Sequence, residues 1–201
     1  MHRSPRIRTG CFLKKGKLIL VTVIVILLAL VLIYEGLAKN INTKTTLNKK
    51  IYSYLSSESH REKTYNAAIA LNNNSSSNSC VYFLSEVLRR NDIQIPKGTG
   101  NTAQLVPLLQ QKGFKKYTDY KALLPGDIVF TTDESGNKNG IPSHTYIFMK
   151  WAKEGSWNDA YICDNQAKDY DNQVYHVRNI KSPAVINGVT KDAFSFFMRP
   201  E

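Results

Sequence analysis

Cys80 stands where a polar stretch gives way to an apolar one, in the sequence NSSSNSCVYFLSEVLRR over Asn74–Arg90. Asn and Ser side chains compete with the backbone for hydrogen bonds, so Asn72–Ser79 predicts a loop. The apolar residues that follow recur at helical spacing, and Asn78 or Ser79 can cap the helix. A thiol in a first helical turn faces unpaired N–H groups and the positive end of the helix dipole, which favour thiolate. Cys80 is therefore a candidate nucleophile with a lowered pKa; the alternative is a small buried apolar residue.

A cysteine nucleophile needs a general base, and the sequence contains four histidines. His144 opens the strand HTYIFM directly after the loop GIPS, so its side chain can meet a helix N-terminus packed at that end of the sheet. His2 lies in the basic N-terminal segment, and His60 lies in a polar helical segment. His176 lies within a strand, where a structural or surface role is expected. The sequence favours His144 as the base, the alternative being a polar residue at a strand edge.

A third residue must hold the imidazole in the correct tautomer, and the sequence AYICDNQ supplies several candidates. In an extended strand, Asp164 and Gln166 share one face, and Cys163 and Asn165 share the other. Asp164 is the leading candidate because its carboxylate can accept from the imidazole N–H and stabilise the imidazolium. Gln166 is a candidate to assist, and Asn165 takes the role if a bulge shifts the register. Cys163 is expected to pack away from the site.

The elements around these residues follow from hydrophobic periodicity. Helical patterns run from about Thr46 to Leu71, with a break near Ser56–Ser59, and again from Cys80. A further helix begins at Asn101, with Gln104 placed as in a capping box, and ends near Gly113. Short β-branched or aromatic runs then predict strands: Ile128–Thr131, His144–Met149, Ala160–Cys163, Val174–Val177 and Ala193–Met198. Helices followed by antiparallel strands predict one α+β domain, from about residue 59 to residue 201.

Much of the formal charge of +11 lies near the N-terminus. The rest of the chain has 21 basic and 16 acidic residues, so the predicted domain is only mildly basic. No stripe of basic residues with interleaved aromatic residues is present, which argues against nucleic acid as a partner. The six basic residues of the first seventeen positions are Arg3, Arg6, Arg8, Lys14, Lys15 and Lys17.

The segment Leu18–Tyr34 carries no charged residue and is at the short end of the length that spans a bilayer. Together with the basic flank it predicts a cytoplasmic leader over 1–17, a transmembrane helix over 18–37 and a stalk over 38–58. Residues 59–201 then lie outside the cell as part of a single-pass membrane protein. The alternative is a cleaved secretory signal, with Gly36-Leu37-Ala38 as the cleavage site.

Cysteine spacing gives neither a disulfide framework nor a metal site. Cys11 lies on the predicted cytoplasmic side, and Cys80 and Cys163 could form at most one bridge. No paired His/Cys spacing typical of a zinc site occurs, so no metal or other cofactor is predicted.

Six segments together resemble the CHAP and NlpC-type cysteine peptidases and amidases of bacterial cell walls. The resemblance extends over Tyr65–Arg199, and its most specific part is a Pro-Gly-Asp turn into a strand, followed by a histidine that opens the next strand. Asp127 of that turn is expected to be structural. Around the nucleophile the chain has Ser-Cys-Val-Tyr, closer to the CHAP style than to the Asp-Cys-Ser-Gly of NlpC-type enzymes. The segments are CVYFLSEVLRR, NTAQLVPLLQQKGF, ALLPGDIVF, SHTYIFM, AYICDNQ and FSFFMRP.

The resemblance implies a papain-like α+β domain in which Cys80 is the nucleophile and His144 the base. Asp164 matches the acidic position, where the family usually has Glu, and Gln166 falls where the family often has Asn. The implied activity is hydrolysis of an amide bond in peptidoglycan, as an endopeptidase or an N-acetylmuramoyl-L-alanine amidase. Implied partners are peptidoglycan, the membrane and other cell-envelope proteins. The alternatives are acyl transfer, as in a transpeptidase or transglutaminase, and a non-catalytic wall-binding module of a secretion or conjugation apparatus.

Overall fold

The computed structural model describes residues 23–35 and 47–200, and the chain divides into two compact units, residues 1–42 and residues 43–201. In the first unit, residues 23–35 form helix α1. Within the described ranges, no helix is long and apolar enough to cross a membrane. The leader over 1–17, the two ends of the span predicted over 18–37, and the alternative cleavage site lie outside the described residues.

Residues 47–200 of the second unit contain four α-helices and two antiparallel sheets, which confirms the predicted α+β class. The larger sheet has the order β1-β8-β2-β3-β4-β5, and β6 and β7 form a separate hairpin. The helices are α2 (47–56), α3 (Glu58–Leu71), α4 (Cys80–Arg90) and α5 (Thr102–Gln111). The strands are β1 (Phe114–Tyr117), β2 (Ile128–Thr131), β3 (Thr145–Trp151), β4 (Asp159–Cys163), β5 (Tyr175–Asn179), β6 (Ala184–Ile186), β7 (Val189–Lys191) and β8 (Phe194–Pro200).

Alternation along the strands buries both faces of the larger sheet. On β3, Ile147 packs into a core shared with the helices, where Leu84 and Leu88 of α4 are completely buried. Tyr146 and Phe148 belong to a second core on the other face. Because α4 packs against β3, the N-terminus of this helix is fixed relative to the start of that strand.

Residues 47–56, which the sequence analysis placed in a stalk, are part of the folded unit. They form α2, and its Ile51 and Leu55 side chains are completely buried in the helix-side core. Asn48 of α2 also donates a hydrogen bond of 2.6 Å to Asp127 in the Pro-Gly-Asp turn. The predicted break is real, because α2 and α3 are separated at Ser57. The apolar residues before this break bury their side chains against the domain, so the fold begins earlier in the sequence than residue 59.

The two predicted helix starts are held in different ways. At α5, Asn101 accepts from the backbone N–H of Gln104 at 2.9 Å, and the Gln104 side chain accepts from the N–H of Gly100 at 2.9 Å. At α4, neither proposed cap is used: the Ser79 side chain makes no capping bond and donates to the carbonyl of Ser76 instead. The first-turn N–H groups of α4 therefore have no side-chain cap, which leaves them available near the Cys80 thiol.

Candidate active site

Cys80 is the first residue of α4, as predicted, and part of its side chain is exposed. The preceding loop is held by Asn72, whose amide donates to the carbonyls of Ser75 and Ser77. A second tether comes from outside this loop. Asn165 donates from Nδ2 to the carbonyl of Ser76 at 3.0 Å, although the two residues are 89 positions apart. The loop and the end of β4 are thereby joined directly beside the thiol.

Burial raises the pKa of the Cys80 thiol to about 11, although the N–H groups of Thr145 and Val81 act in the opposite direction. This differs from the lowered pKa expected for a cysteine at a helix N-terminus. The physical reason is that desolvation of the thiolate, with the nearby charge of Asp164, outweighs the donors of the first turn. The thiol is therefore protonated at neutral pH and depends on a base for activation.

His144 lies one residue before β3 and is held at the sheet end by its backbone. Its N–H donates to the Thr131 hydroxyl at 3.0 Å, and its carbonyl accepts from the N–H of Thr131 at 3.1 Å. The next N–H along the chain, that of Thr145, lies against the Cys80 thiol. The side chain of His144 is 7% exposed, and burial lowers its pKa, so the imidazole is neutral at pH 7. His144 and Cys80 line the same part of the cleft, and a neutral imidazole has the protonation state that a general base requires.

Asp164 holds the imidazole from the far side. The Nε2–H of His144 donates to Oδ2 of Asp164 at 2.8 Å. Because the carboxylate can only accept, Nε2 carries the proton and Nδ1 is left as the basic nitrogen. Burial acts to raise the pKa of Asp164, but the hydrogen bond from His144 and the charges of His144, His176 and Arg178 lower it to about 2. The structure thus brings His144 and Asp164 together, as the sequence analysis expected.

The two alternative third residues have other partners. Gln166 donates its backbone N–H to Oδ1 of Asp164 at 2.7 Å, and its side chain accepts from Arg178 at 3.2 Å. It therefore supports Asp164 rather than replacing it. Asn165 is bonded to the Ser76 loop and makes no hydrogen bond to His144. Cys163 is completely buried in the helix-side core, as expected for a packing residue.

Two residues that the sequence analysis did not assign to the site lie directly behind Asp164. Nε2 of His176 is 3.7 Å from Oδ1, and the Arg178 guanidinium is 4.0 Å from Oδ2. Both side chains are almost completely buried, so of the two roles expected for His176 the surface one is wrong and the structural one stands. They share one face of β5, and their spacing of two on a strand beside AYICDNQ is the sequence signal that could have identified them.

An open cleft runs along both sides of Cys80. One part, of about 530 Å³, is bordered by Gly100, Asp133 and Ile141. The other, of about 440 Å³, contains His144 and is bordered by Arg178 and by the β6–β7 hairpin. Asn78, Cys80, Glu134 and Ser143 line both parts. The thiol is therefore reached from a groove that continues in both directions, a shape that suits an extended substrate.

The described residues contain no group of three or more His, Cys, Asp and Glu side chains that could hold a metal ion. The chemistry available here is that of a thiol, a neutral imidazole and an ionised carboxylate, which together can perform nucleophilic acyl chemistry.

No protein-family model matches the chain, and neither curated proteins nor solved structures give a match.

Proposed function

We propose that this protein is a cysteine hydrolase that cleaves an amide bond in bacterial peptidoglycan. The observation that carries the proposal is one arrangement: Cys80 begins a helix beside the backbone of Thr145, and His144 is held through Nε2 by the buried carboxylate of Asp164. The resemblance to CHAP and NlpC-type enzymes supports peptidoglycan as the substrate and a papain-like arrangement of the fold.

The charge states of the three groups define the reaction. Nδ1 of His144 takes the thiol proton as the sulfur of Cys80 attacks the amide carbon, forming an S–C bond and a tetrahedral oxyanion. Asp164 stabilises the imidazolium that results. The imidazolium then gives its proton to the departing amine as the C–N bond breaks, which leaves a thioester. His144 next removes a proton from water, and the hydroxide oxygen displaces the thiol to release a carboxylic acid.

The oxyanion is assigned to the first turn of α4. N–H groups at a helix N-terminus point at the developing charge, and the aligned peptide dipoles favour it. The donors beside the thiol are the N–H groups of Val81 and Thr145, which come from two different elements. Since no side-chain cap occupies this helix start, the donors remain available to the substrate.

Cleft charge further restricts the substrate. Asp133 borders one part of the cleft, Glu134 lines both parts, and Arg178, Lys191 and Asp192 border the other. An extended chain that carries both amino and carboxylate groups matches this distribution, and a peptidoglycan stem peptide has both. Transfer of the acyl group to an amine uses the same thioester, so the choice between hydrolysis and transfer is made by the second nucleophile.

The proposal includes a membrane tether, which rests on the uncharged sequence of Leu18–Tyr34 and the basic flank before it. Protease added to intact protoplasts should then remove the folded unit from the cell surface. Full protection would contradict the orientation, and a mature protein that begins near Lys39 would instead indicate secretion after signal cleavage.

The direct test is mass analysis of peptidoglycan fragments after incubation with the protein. We expect soluble fragments whose masses show that one bond was cut and one water was added. Cys80→Ala should release no such fragments. Cys163→Ala is the matched control, because that thiol is buried outside the cleft, and its activity per folded molecule should be that of the original protein. Free stem peptides would identify an amidase, whereas shortened peptides that remain on the sugar would identify an endopeptidase.

Two other outcomes would overturn hydrolysis. Fragments joined by a new amide bond, without added water, would indicate acyl transfer. Absence of any fragment from several peptidoglycan types, with equal binding by the original protein and Cys80→Ala, would indicate a wall-binding module.

A further inference from the structure

His176 has a single possible neutral tautomer. Its Nδ1 lies 2.8 Å from the carbonyl oxygen of Gln173, and its ring stacks on Tyr170 at 3.6 Å between centroids, with 10° between the planes. A carbonyl oxygen only accepts hydrogen bonds, so Nδ1 must carry the proton. Turning the ring by 180° would place Cδ2–H against the Gln173 carbonyl and lose this hydrogen bond, so the contact fixes which nitrogen faces Gln173. In neutral His176, Nε2 therefore has a lone pair and no proton.

That lone pair is directed toward an anion. Nε2 lies 3.7 Å from Oδ1 of Asp164, and it makes no hydrogen bond to any described residue. Two acceptors at this separation repel each other. A bridging water fits the gap poorly, because two hydrogen bonds of normal length at the angle of a water molecule place the outer atoms about 4.5 Å apart. A proton placed on Nε2 turns the repulsion into a buried ion pair.

His144 occupies the other oxygen of the same carboxylate with the opposite tautomer. Its Nε2 already donates to Oδ2, and its free nitrogen, Nδ1, points away from Asp164. A further proton on His144 therefore lands on the side remote from the carboxylate, whereas a proton on His176 lands between nitrogen and oxygen. This difference in geometry gives His176 the stronger interaction with Asp164 on protonation.

The other charges around His176 act on both histidines. Arg178, two residues along β5, and Lys191, on β7, oppose protonation of His176 and of His144. Tyr170 adds no charge near neutral pH, because burial raises its pKa to about 12. Burial lowers the pKa of His176, and the charge of Asp164 and the Gln173 carbonyl act against that decrease. The carboxylate is thus the only described anion that faces both rings.

We propose that His176 is a positioning residue of the site: it takes up a proton on Nε2 before His144 does, binds Oδ1 of Asp164 and thereby withdraws the carboxylate charge from His144. The consequence for activity rests on the proposed function: once the carboxylate charge is withdrawn, His144 becomes a weaker base toward Cys80. With two cations already beside Asp164, protonation of His144 is opposed by direct repulsion. The site is therefore switched off by acid through a residue that never touches the substrate.

Nuclear magnetic resonance of the imidazole nitrogens tests the proposal without any substrate. In the original protein we expect His176 with its proton on Nδ1 and His144 with its proton on Nε2 at neutral pH. On acidification Nε2 of His176 should gain its proton first. His176→Gln should raise the titration midpoint of His144 by roughly one pH unit, the size expected for removal of a unit charge a few ångströms away.

His60 supplies the matched control. Its ring also stacks on a tyrosine, because the ring centroids of His60 and Tyr54 are 4.5 Å apart. Nδ1 of His60 lies 3.1 Å from the backbone carbonyl oxygen of Tyr54. It is exposed and has no carboxylate contact among the described residues. His60→Gln should therefore leave the His144 midpoint unchanged.

Three results would overturn the inference: a proton on Nε2 of His176 with Nδ1 bare, titration of His144 before His176, or a His144 midpoint that His176→Gln leaves in place. The first two are read from the original protein, so they do not depend on the folding of a variant. The outcome is also separate from the proposed function. The nitrogen titrations report the coupling even if no peptidoglycan is cut, and loss of activity in Cys80→Ala reports the function even if the coupling is absent.

Discussion

Asp127 and Asp164 are both completely buried, but the structure uses them differently. Asp127, in the turn before β2, is bonded by Arg199 through two nitrogens, by the Asn48 side chain at 2.6 Å and by the N–H of Leu124 at 2.8 Å. Asp164, after β4, receives only two hydrogen bonds, one of them from an imidazole that faces the cleft.

The difference lies in the partners rather than in the degree of burial. An arginine is always charged, so Asp127 has a permanent counterion and four donors that fix the turn. Histidines change charge near neutral pH, so the surroundings of Asp164 respond to a proton. Burial raises the pKa of Asp127, whereas hydrogen bonding and nearby cations lower the pKa of Asp164 to about 2. We infer that a buried carboxylate serves chemistry when its main partner can titrate, and serves folding when it cannot.

The largest expected effect is on turnover. Asp164→Asn should reduce peptidoglycan cleavage about ten-thousand-fold, because His144 loses the charge that stabilises its imidazolium. The amide oxygen would accept from the Gln166 N–H, so the NH2 group would face Nε2 of His144 and favour the wrong tautomer. Asp127→Asn should leave turnover per folded molecule unchanged. Fragment release, corrected for the folded fraction, measures both. Similar losses of turnover in the two variants would remove the functional distinction between the two aspartates.

The free energy of unfolding should show the opposite order, with the larger loss in Asp127→Asn. Asp127→Asn should lower the free energy of unfolding by about 3 kcal/mol, because it leaves the Arg199 guanidinium without its counterion. Urea unfolding followed by circular dichroism gives this value. Arg199→Lys keeps the charge but loses the paired geometry, and it should be intermediate. A variant Asp127→Asn as stable as the original protein would show that the network does not hold the turn.

The contribution of Asp164 to stability should also depend on pH. The folded-state pKa of Asp164 is lowered, so its carboxylate contributes stability above its ordinary pKa of 3.8, and this contribution disappears as the pH falls toward about 2. The contribution is on the order of 2 kcal/mol. The difference in unfolding free energy between the original protein and Asp164→Asn, measured from pH 6 to pH 2, should shrink over that window. A difference that stays constant would mean that Asp164 has the same pKa in both states.

The smallest effect tests whether α2 belongs to the fold. Asn48→Ala removes one hydrogen bond to the Asp127 carboxylate and should cost about 1.5 kcal/mol in unfolding free energy. Lys49→Ala, at an exposed position of the same helix, is the control and should cost little. If Asn48→Ala is as stable as the control, the Asn48–Asp127 contact makes no net contribution, and Asp127 depends on Arg199 alone.

Local sequence patterns were sufficient to predict most of the helices and strands. The helix that begins at Cys80 follows from the abrupt change from polar to apolar residues, and the five predicted strands follow from their β-branched and aromatic runs. Strand β1 was missed because its sequence, FKKY, has one buried residue and no apolar alternation. The β6–β7 hairpin was missed although the sequence signals it: Ala184–Ile186 and Val189 flank Asn187 and Gly188, an Asn-Gly pair typical of a two-residue hairpin turn.

Parts of the site also depended on contacts that no local pattern shows. Helix α2 was recognised as helical, but its burial depends on a sheet more than seventy residues later. The role of His176 depends on the register of β5 against β4, which places it opposite Ile162, two residues before Asp164. A histidine between two strand residues gives no sign of this position by itself.

The sequence by itself determined that a cysteine begins a helix, that a histidine precedes a strand and that Asp164, Asn165 and Gln166 follow the next strand, because these are properties of contiguous residues. Tertiary structure decided which of the three residues meets His144, because that depends on how β3 pairs with β4, which places Ile147 opposite Cys163. It also decided the protonation state of Cys80. A helix N-terminus lowers the pKa of a thiol and burial raises it, and burial is a property of the folded chain alone.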